Sequence, residues 1–212
     1  MKLVLIGAPA AGKGTVARKL IDKYGYAYIS TGDILREQVA SGTELGNKVK
    51  SVMAEGKLVS DELIIEVVKD RISQDDCKNG YILDGFPRTG VQAEKLDELI
   101  GSVDCAIYID VPDKELLERL TARETCPDCG EIYNKKFSPS KVQGVCDKCG
   151  AKLTQRKDDT YETGLVRLKT FHETSGALTK HYEKQGLLLK IDGLMGSDKV
   201  FEAIISKLGE GK

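Results

Sequence analysis

An α/β fold is predicted for this chain: a parallel sheet flanked by helices and interrupted by two insertions, one helical and one rich in cysteine. Three observations predict it. Short continuous apolar runs, the mark of strands covered on both faces, recur at residues 3–6, 81–83, 105–109 and 187–189. Segments with helical apolar spacing fill the intervals between them, and such alternation builds a parallel sheet with helices packed on it. A glycine-rich turn, Gly7-Ala8-Pro9-Ala10-Ala11-Gly12-Lys13-Gly14-Thr15, joins the first run to the first helical pattern.

In chain order, Leu3-Val4-Leu5-Ile6 is the first strand. After the turn, Val16, Ala17, Leu20 and Ile21 recur at helical spacing up to Tyr24, and Gly25 ends that helix. Residues 26–30 read as a brief strand. From Ser30-Thr31-Gly32-Asp33 the pattern is helical again, with Ile34, Leu35 and Val39 on one side and Arg36 near the first turn. A second short helix is expected over 46–54, so residues 30–59 form a compact helical insertion. Ser60 caps the next helix, whose face is Leu63, Ile64, Val67, Val68 and Ile72.

Residues 80–88 read as a strand ending in the carboxylate Asp84 and a tight turn, and Gln92, Ala93, Leu96, Leu99 and Ile100 mark the helix that follows. Residues 105–111 are a buried strand closed by Pro112. Leu116, Leu117 and Leu120 give the next helix, which is expected to carry Arg119 and Arg123 four apart on one face. Residues 125–157 hold cysteines and turn residues with little helical period. A long helix begins at Thr160 and runs to the neighbourhood of Lys184, with Val166, Leu168, Phe171 and Leu178 among its apolar positions and His172 and His181 as surface groups. Residues 187–193 are the last strand, and Val200, Ile204, Ile205 and Leu208 lie on the terminal helix.

The glycine-rich turn reads as a phosphate cradle. Successive backbone N–H groups at a helix N-terminus converge on one concavity, where the positive end of the helix dipole favours an anion. Lys13 adds a full charge suited to outer phosphates. The usual pattern places Ser or Thr directly after that lysine as a magnesium ligand, whereas this chain has Gly14 there and Thr15 one residue later. One helical position rotates a side chain by about 100°, so Thr15 is not expected to ligate magnesium directly. In parallel sheets ligands sit beyond the carboxyl ends of the strands, which puts the turn after Ile6, residues 84–88 and Asp192-Gly193 at one rim.

Cys126-Pro127-Asp128-Cys129 and Cys146-Asp147-Lys148-Cys149 are two matched knuckles, each followed by glycine. Their four sulfurs complete a closed tetrahedral thiolate site with no position left for substrate, so the metal is structural. Zinc is the first choice, and iron fits the same sulfur geometry. Disulfides or a redox dithiol pair are the competing readings. Cys77 and Cys105 remain as buried thiols.

With 32 basic and 33 acidic residues the net charge is −1, which gives no field for general nucleic-acid or acidic-membrane binding. No apolar run approaches the roughly 20 residues a bilayer span needs. Lys2, the apolar run and Ala8-Pro9-Ala10 hint at a secretory leader, but the run is short and Gly12-Lys13-Gly14 charges the cleavage region. A soluble cytoplasmic monomer is expected, where paired cysteines hold metal.

Together these residues resemble an adenylate kinase, a nucleoside monophosphate kinase, of the zinc-containing, long-lid bacterial type. The likeness covers essentially the whole chain in order: the phosphate turn, Ser30-Thr31-Gly32-Asp33 with Arg36, Lys57-Leu58-Val59, Asp84-Gly85-Phe86-Pro87-Arg88 with Gln92, Glu118-Arg119-Leu120 with Arg123, the cysteine insertion, and Gln155-Arg156-Lys157-Asp158-Asp159. It implies a sheet of the P-loop NTPase type and the magnesium-dependent reaction ATP + AMP = 2 ADP, which balances adenine nucleotides. It also implies a core of residues 1–29, 60–121 and 160–212, an AMP-binding subdomain at 30–59 and a zinc-ribbon-like lid at 122–159. By motif match, ATP would meet Ala10, Ala11, Gly12, Lys13, Gly14, Thr15, Arg119, Arg123, Ile132, Tyr133 and Met195. AMP would meet Thr31, Arg36, Lys57, Leu58, Val59, Gly85, Phe86, Pro87, Arg88, Gln92, Arg156 and Arg167. Structural zinc would sit on Cys126, Cys129, Cys146 and Cys149. Ala10 stands where the family usually has glycine.

Phosphoryl transfer needs two phosphates in line, neutralised charge and no water. Lys13, Arg88, Arg123, Arg156 and Arg167 suit it, because a guanidinium matches phosphate oxygens as a planar fork and stays charged. With Gly14 lacking a hydroxyl, magnesium is left to phosphates, water and Asp84 as an outer-sphere anchor. Asp158 and Asp159 either order that water shell, lock the lid or are ordinary helix N-terminal acids before Thr160. Hinges are expected near Thr31, Val59, Ala122 and Asp159. The rival readings are a monophosphate kinase for another base and a zinc-ribbon nucleic-acid binder.

Overall fold

The computed structural model describes residues 1–209. A five-stranded sheet runs in the order β2-β3-β1-β4-β7, from Ala27–Ser30, Tyr81–Asp84, Lys2–Ile6, Cys105–Asp110 and Leu188–Asp192. Every neighbouring pair is parallel, so all five carboxyl ends meet at one rim. The apolar runs are explained by burial on both faces. Val4 and Ile6 point into one core with Ile29, Leu83 and Phe86, whereas Leu3 and Leu5 point into the other with Leu20, Ile82 and Ile109.

Helices α1 (Lys13–Tyr24), α6 (Asp113–Thr121) and α8 (Ser197–Gly209) contribute to the second core. The first core takes α4 (Asp61–Ile72), α5 (Gly90–Ile100) and much of α7 (Tyr161–Lys184), together with the small pair α2 (Thr31–Ala40) and α3 (Glu44–Ala54). Side-chain caps start several of these helices. Ser60 accepts from Leu63 N and Thr160 from Thr163 N at 3.2 Å. Thr43 accepts from Gly46 N at 3.0 Å, which begins α3 two residues before the expected start.

The cysteine insertion is built on the short antiparallel pair β5 (Arg123–Thr125) and β6 (Ile132–Asn134). Here the structure corrects one expectation. Arg119 and Arg123 do not share a helix face, because α6 stops at Thr121 and Arg123 pairs across to Asn134 as the first residue of β5. The Ala122 carbonyl, freed at the helix end, accepts from Lys135 N at 2.9 Å. Four further positions differ from their expected burial. Val166 and Leu99 are partly exposed, Cys105 is only half-buried, and His181 is not a surface group: with its partner Asp97 at 2.7 Å it sits in the seam between α7 and α5. His172 is exposed against Asp113, as a surface group should be. No helix of the described residues is long and apolar enough to cross a membrane.

Candidate nucleotide site and cysteine centre

The phosphate turn bridges β1 and α1 through left-handed backbone. Gly12 takes φ 97° as the residue before α1, and Ala10 takes φ 65°, the one non-glycine residue in that region among those described. A Cβ there is unfavourable by about 1–2 kcal/mol, so Ala10 is held in place by the fold of the turn. Lys13 Nζ donates back to the carbonyls of Gly7 at 2.9 Å and Ala8 at 3.0 Å, clasping the turn closed.

Around this turn lies a cavity of about 500 Å³. Its wall carries Lys13, Arg36, Arg88, Arg119, Arg123, Arg156 and Arg167, with Asp33 and Asp84 as counter-charges. The three rim segments expected to meet do so: the turn, Asp84 to Arg88 and Gly193 all line it. Burial pushes Lys13 down to about 8, with repulsion from Arg88, Arg167 and Arg123 adding to that and Asp84 opposing it. Burial and neighbouring guanidinium groups likewise lower Arg156 and Arg167 to about 10, which leaves both charged at neutral pH. Such a concentration of cations with few carboxylates is a site for a polyanion.

A second cavity of about 60 Å³ adjoins the first and has Thr31, Lys57, Val59, Gln92 and the apolar side chains of Leu35, Met53 and Ile64 in its wall. Arg36, Arg88, Arg167, Gly85 and Leu58 line both cavities. Gln92 is 2% exposed and fully engaged: its carbonyl accepts from Arg88 N at 2.7 Å and its amide donates to Asp61 at 2.6 Å. Thr31 donates to Gly85 O at 2.9 Å. Both side chains therefore fix the 85–88 turn, and Arg88 Nε donates to Gly85 O at 2.7 Å within it.

The cysteine insertion closes over the larger cavity. Ile132, Tyr133, Asn134, Phe137 and Ser138 form its roof. A Cβ on Gly14 would come within 3.2 Å of Ile132 Cδ1, so the roof occupies the space that a hydroxyl-bearing side chain at this position would need. Arg156 reaches across to Asp33 on α2 at 3.1 Å, and Arg36 approaches Asp158 at 3.7 Å. On the other side Arg18 of α1 pairs with Glu131 at 2.5 Å and donates to Gly130 O. At the base of the insertion Asp159, 1% exposed, accepts from Arg123 Nε at 2.7 Å and Nη2 at 2.5 Å and lies 3.3 Å from Arg167. Asp158 is 3.1 Å from Arg167. Burial alone would raise the Asp158 carboxyl, but Arg167 and Arg36 outweigh it and hold it below the usual range. Both aspartates thus pair with arginines of the site and bind the insertion to α7 and α2.

Four residues of the expected set lie apart from the cavities or are only loosely part of them. Phe86 is 1% exposed inside the core, and Met195 is 40% exposed with Gly193, Gly196 and Ser197, rather than Met195 itself, in the cavity wall. The Lys57 ammonium turns outward to Glu55 at 2.7 Å, and Thr15 is an exposed residue at the edge of the turn. Sequence reasoning missed Phe137, whose ring faces the Arg119 guanidinium at 5.8 Å, and Tyr28, which lines the cavity from β2. An aromatic residue three positions beyond Asn134 in a cysteine-rich insertion carries no spacing signal, so neither was legible.

The two knuckles are near copies. Cys126 N bonds to Glu131 O and Gly130 N to Cys126 O; Cys146 N bonds to Ala151 O and Gly150 N to Cys146 O. All four Sγ atoms lie within 4.8 Å of one another, with contacts of 3.4 Å, 3.5 Å and 3.6 Å, and all four cysteines are free thiols. Zinc bound at about 2.3 Å to four sulfurs would space them about 3.8 Å apart, so the cluster fits such an ion. Among the described residues the core beneath it is Cys126, Tyr133, Cys146 and Leu153 with Ala151 at its edge, too little to order the insertion unaided. Cys129→Ser should therefore lower metal content and make the insertion lose protection from hydrogen exchange before the main sheet does. Unchanged metal content together with unchanged exchange would contradict this.

Comparison with known proteins agrees over the full length. The family model described as adenylate kinase matches residues 5–187. An adenylate kinase of Agathobacter rectalis is 49% identical over 99% of this chain and 100% of its own length. Those of Thermodesulfovibrio yellowstonii and Clostridium tetani are 48% and 49% identical, covering 98% and 99% of this chain and 99% of their own lengths.

Proposed function

From the premise that this chain belongs to the adenylate kinase family, and so moves a phosphoryl group reversibly between ATP and AMP to give two ADP, we propose that the reaction runs across the wall shared by the two cavities. ATP takes the larger one. Its phosphates lie on the backbone N–H groups of residues 10–15 and on Lys13, at the N-terminus of α1. The base lies between Arg119 and the roof residues Ile132, Tyr133 and Phe137, near the 193–197 turn. AMP takes the smaller cavity, with its base among Leu35, Met53, Val59 and Ile64 and its phosphate toward Arg36, Arg88 and Arg167.

One observation carries this reading: Arg36, Arg88 and Arg167 line both cavities. A phosphoryl group passing from one nucleotide to the other stays beside the same three guanidinium groups. Their forks hold both phosphates in line and offset charge as it spreads over the transferring oxygens. Arg123 and Arg156 add charge from the lid side. Magnesium enters with the nucleotide, held by phosphates and water, with Asp84 ordering the water shell. No general base is needed.

The insertion at 122–159 is the lid and that at 30–59 the AMP-binding subdomain, set on a core of residues 1–29, 60–121 and 160–212. The Arg156 to Asp33 pair joins the two covers directly, so closing one favours closing the other and water is kept from accepting the phosphoryl group. The cysteine centre holds structural zinc, which shapes the lid and takes no part in the chemistry. A site assembled wholly from one chain supports a monomer, thiolate ligation supports a cytoplasmic location, and the balanced charge supports small nucleotides rather than nucleic acid as partners.

The test is ADP formation from ATP with AMP, UMP, CMP or GMP as acceptor. Preference for AMP is expected from the chain's membership of the adenylate kinase family. Faster turnover of UMP or CMP would overturn the assignment of that cavity.

A further inference from the structure

The phosphate turn lacks a hydroxyl after Lys13, yet a hydroxyl stands close by. Tyr28 lies on β2, two residues before Ser30, and β2 pairs with β3 so that Tyr28 is opposite Ile82 and Ser30 opposite Asp84. Tyr28 and Asp84 are therefore diagonal neighbours on one face of the sheet. Tyr28 Oη donates to Asp84 Oδ2 at 2.8 Å. The same oxygen lies 3.5 Å from the point where a Cβ on Gly14 would stand. Both Tyr28 and Asp84 line the larger cavity beside Lys13. Burial, and then the negative charge of Asp84, push the phenol far above its ordinary range, so it remains a neutral donor at any working pH.

The geometry points to Tyr28 as a positioning residue for phosphoryl transfer: its hydroxyl supplies, from the neighbouring strand, the group the turn lacks at Gly14, and orients the Asp84 carboxylate toward the nucleotide-bound divalent cation. The hydrogen bond commits Oδ2 and leaves Oδ1 for the water shell of the cation. A carboxylate free to rotate would have to be ordered during each turnover, and a donor already in place removes that cost. The ring itself packs against the second core, so the hydroxyl can be removed without disturbing the fold. This inference rests on the role proposed for Asp84.

Tyr28→Phe tests it. The lost hydrogen bond is to a charged acceptor, so kcat should fall about tenfold or more, with the KM values for ATP and AMP within about twofold of wild type and a cooperative melting transition retained. Mn2+ binding to the enzyme–ADP complex, read from its paramagnetic resonance spectrum, should weaken in parallel. In an Asp84→Asn background the same change should add less than about a further twofold, because the two groups act as one unit. Wild-type kcat and Mn2+ binding in Tyr28→Phe, beside an impaired Asp84→Asn, would overturn the inference alone. Losses that simply multiply in the double variant would also overturn it. Full activity of Asp84→Asn would remove the role of Asp84 and this inference with it.

Discussion

Lys13→Ala should cut kcat/KM for ATP by roughly 10²–10³-fold, the scale seen when a single preorganised donor to a developing charge is removed. Lys13 is the only ammonium in the larger cavity wall among the described residues, and its two bonds to the Gly7 and Ala8 carbonyls hold the turn in its phosphate-binding shape. Part of the loss should therefore appear in KM, since ATP would meet a looser cradle as well as a weaker charge. The displaced proton equilibrium gives a second signature. The folded protein binds the Lys13 proton less tightly than the unfolded chain, so this unfavourable contribution is fully present below about pH 8 and is lost as pH rises from about 8 to 10.5. Free-protein stability from Lys13 thus increases across that window. Phosphate favours the charged ammonium, so ATP binding near pH 8 should take up a proton. Calorimetry in two buffers of different ionisation enthalpy measures that uptake, and Lys13→Ala should abolish it.

Arg88→Ala should be at least as damaging, about 10²–10³-fold in kcat, and should not spare either substrate. Arg88 faces both cavities, and its backbone N–H and Nε are fixed by Gln92 and Gly85, so the guanidinium is aimed before any nucleotide arrives. Preorganised charge of this kind requires no rearrangement at the moment of reaction. Arg88→Lys should recover little, because an ammonium replaces a planar fork that spans two oxygens with a single point of charge. Losses confined to the AMP KM, with kcat intact, would place Arg88 in acceptor binding alone.

The rim of the sheet was legible because local signals carry it: a glycine-rich turn after an apolar run, a strand ending at Asp84, a strand ending at Asp192-Gly193. The matched cysteine knuckles were legible for the same reason, since each is a turn of four residues. What the sequence concealed depends on partners far apart along the chain. Arg156 and Asp33 are 123 residues apart, yet they join the two covers. Asp159 reads equally well as a ligand-side or lid-locking acid and as a helix N-terminal acid until Arg123, 36 residues earlier, is seen to hold it in a two-bond pair. Arg123 itself fits a helical period with Arg119, and only the tertiary pairing of β5 with β6 removes it from that helix. Ala10 gave a hint as a departure from glycine, but its left-handed backbone could be known only from the folded turn. Tyr28 looked like one more strand aromatic, and its value lies in where the sheet register places its oxygen.

The most direct test of the shared cationic wall is steady-state ADP formation from saturating ATP and AMP by the wild type, Lys13→Ala and Arg88→Ala, each checked for an unchanged melting transition. The account predicts both variants folded, Arg88→Ala at least about a hundredfold slower and Lys13→Ala at least about tenfold slower; wild-type turnover in both would contradict it.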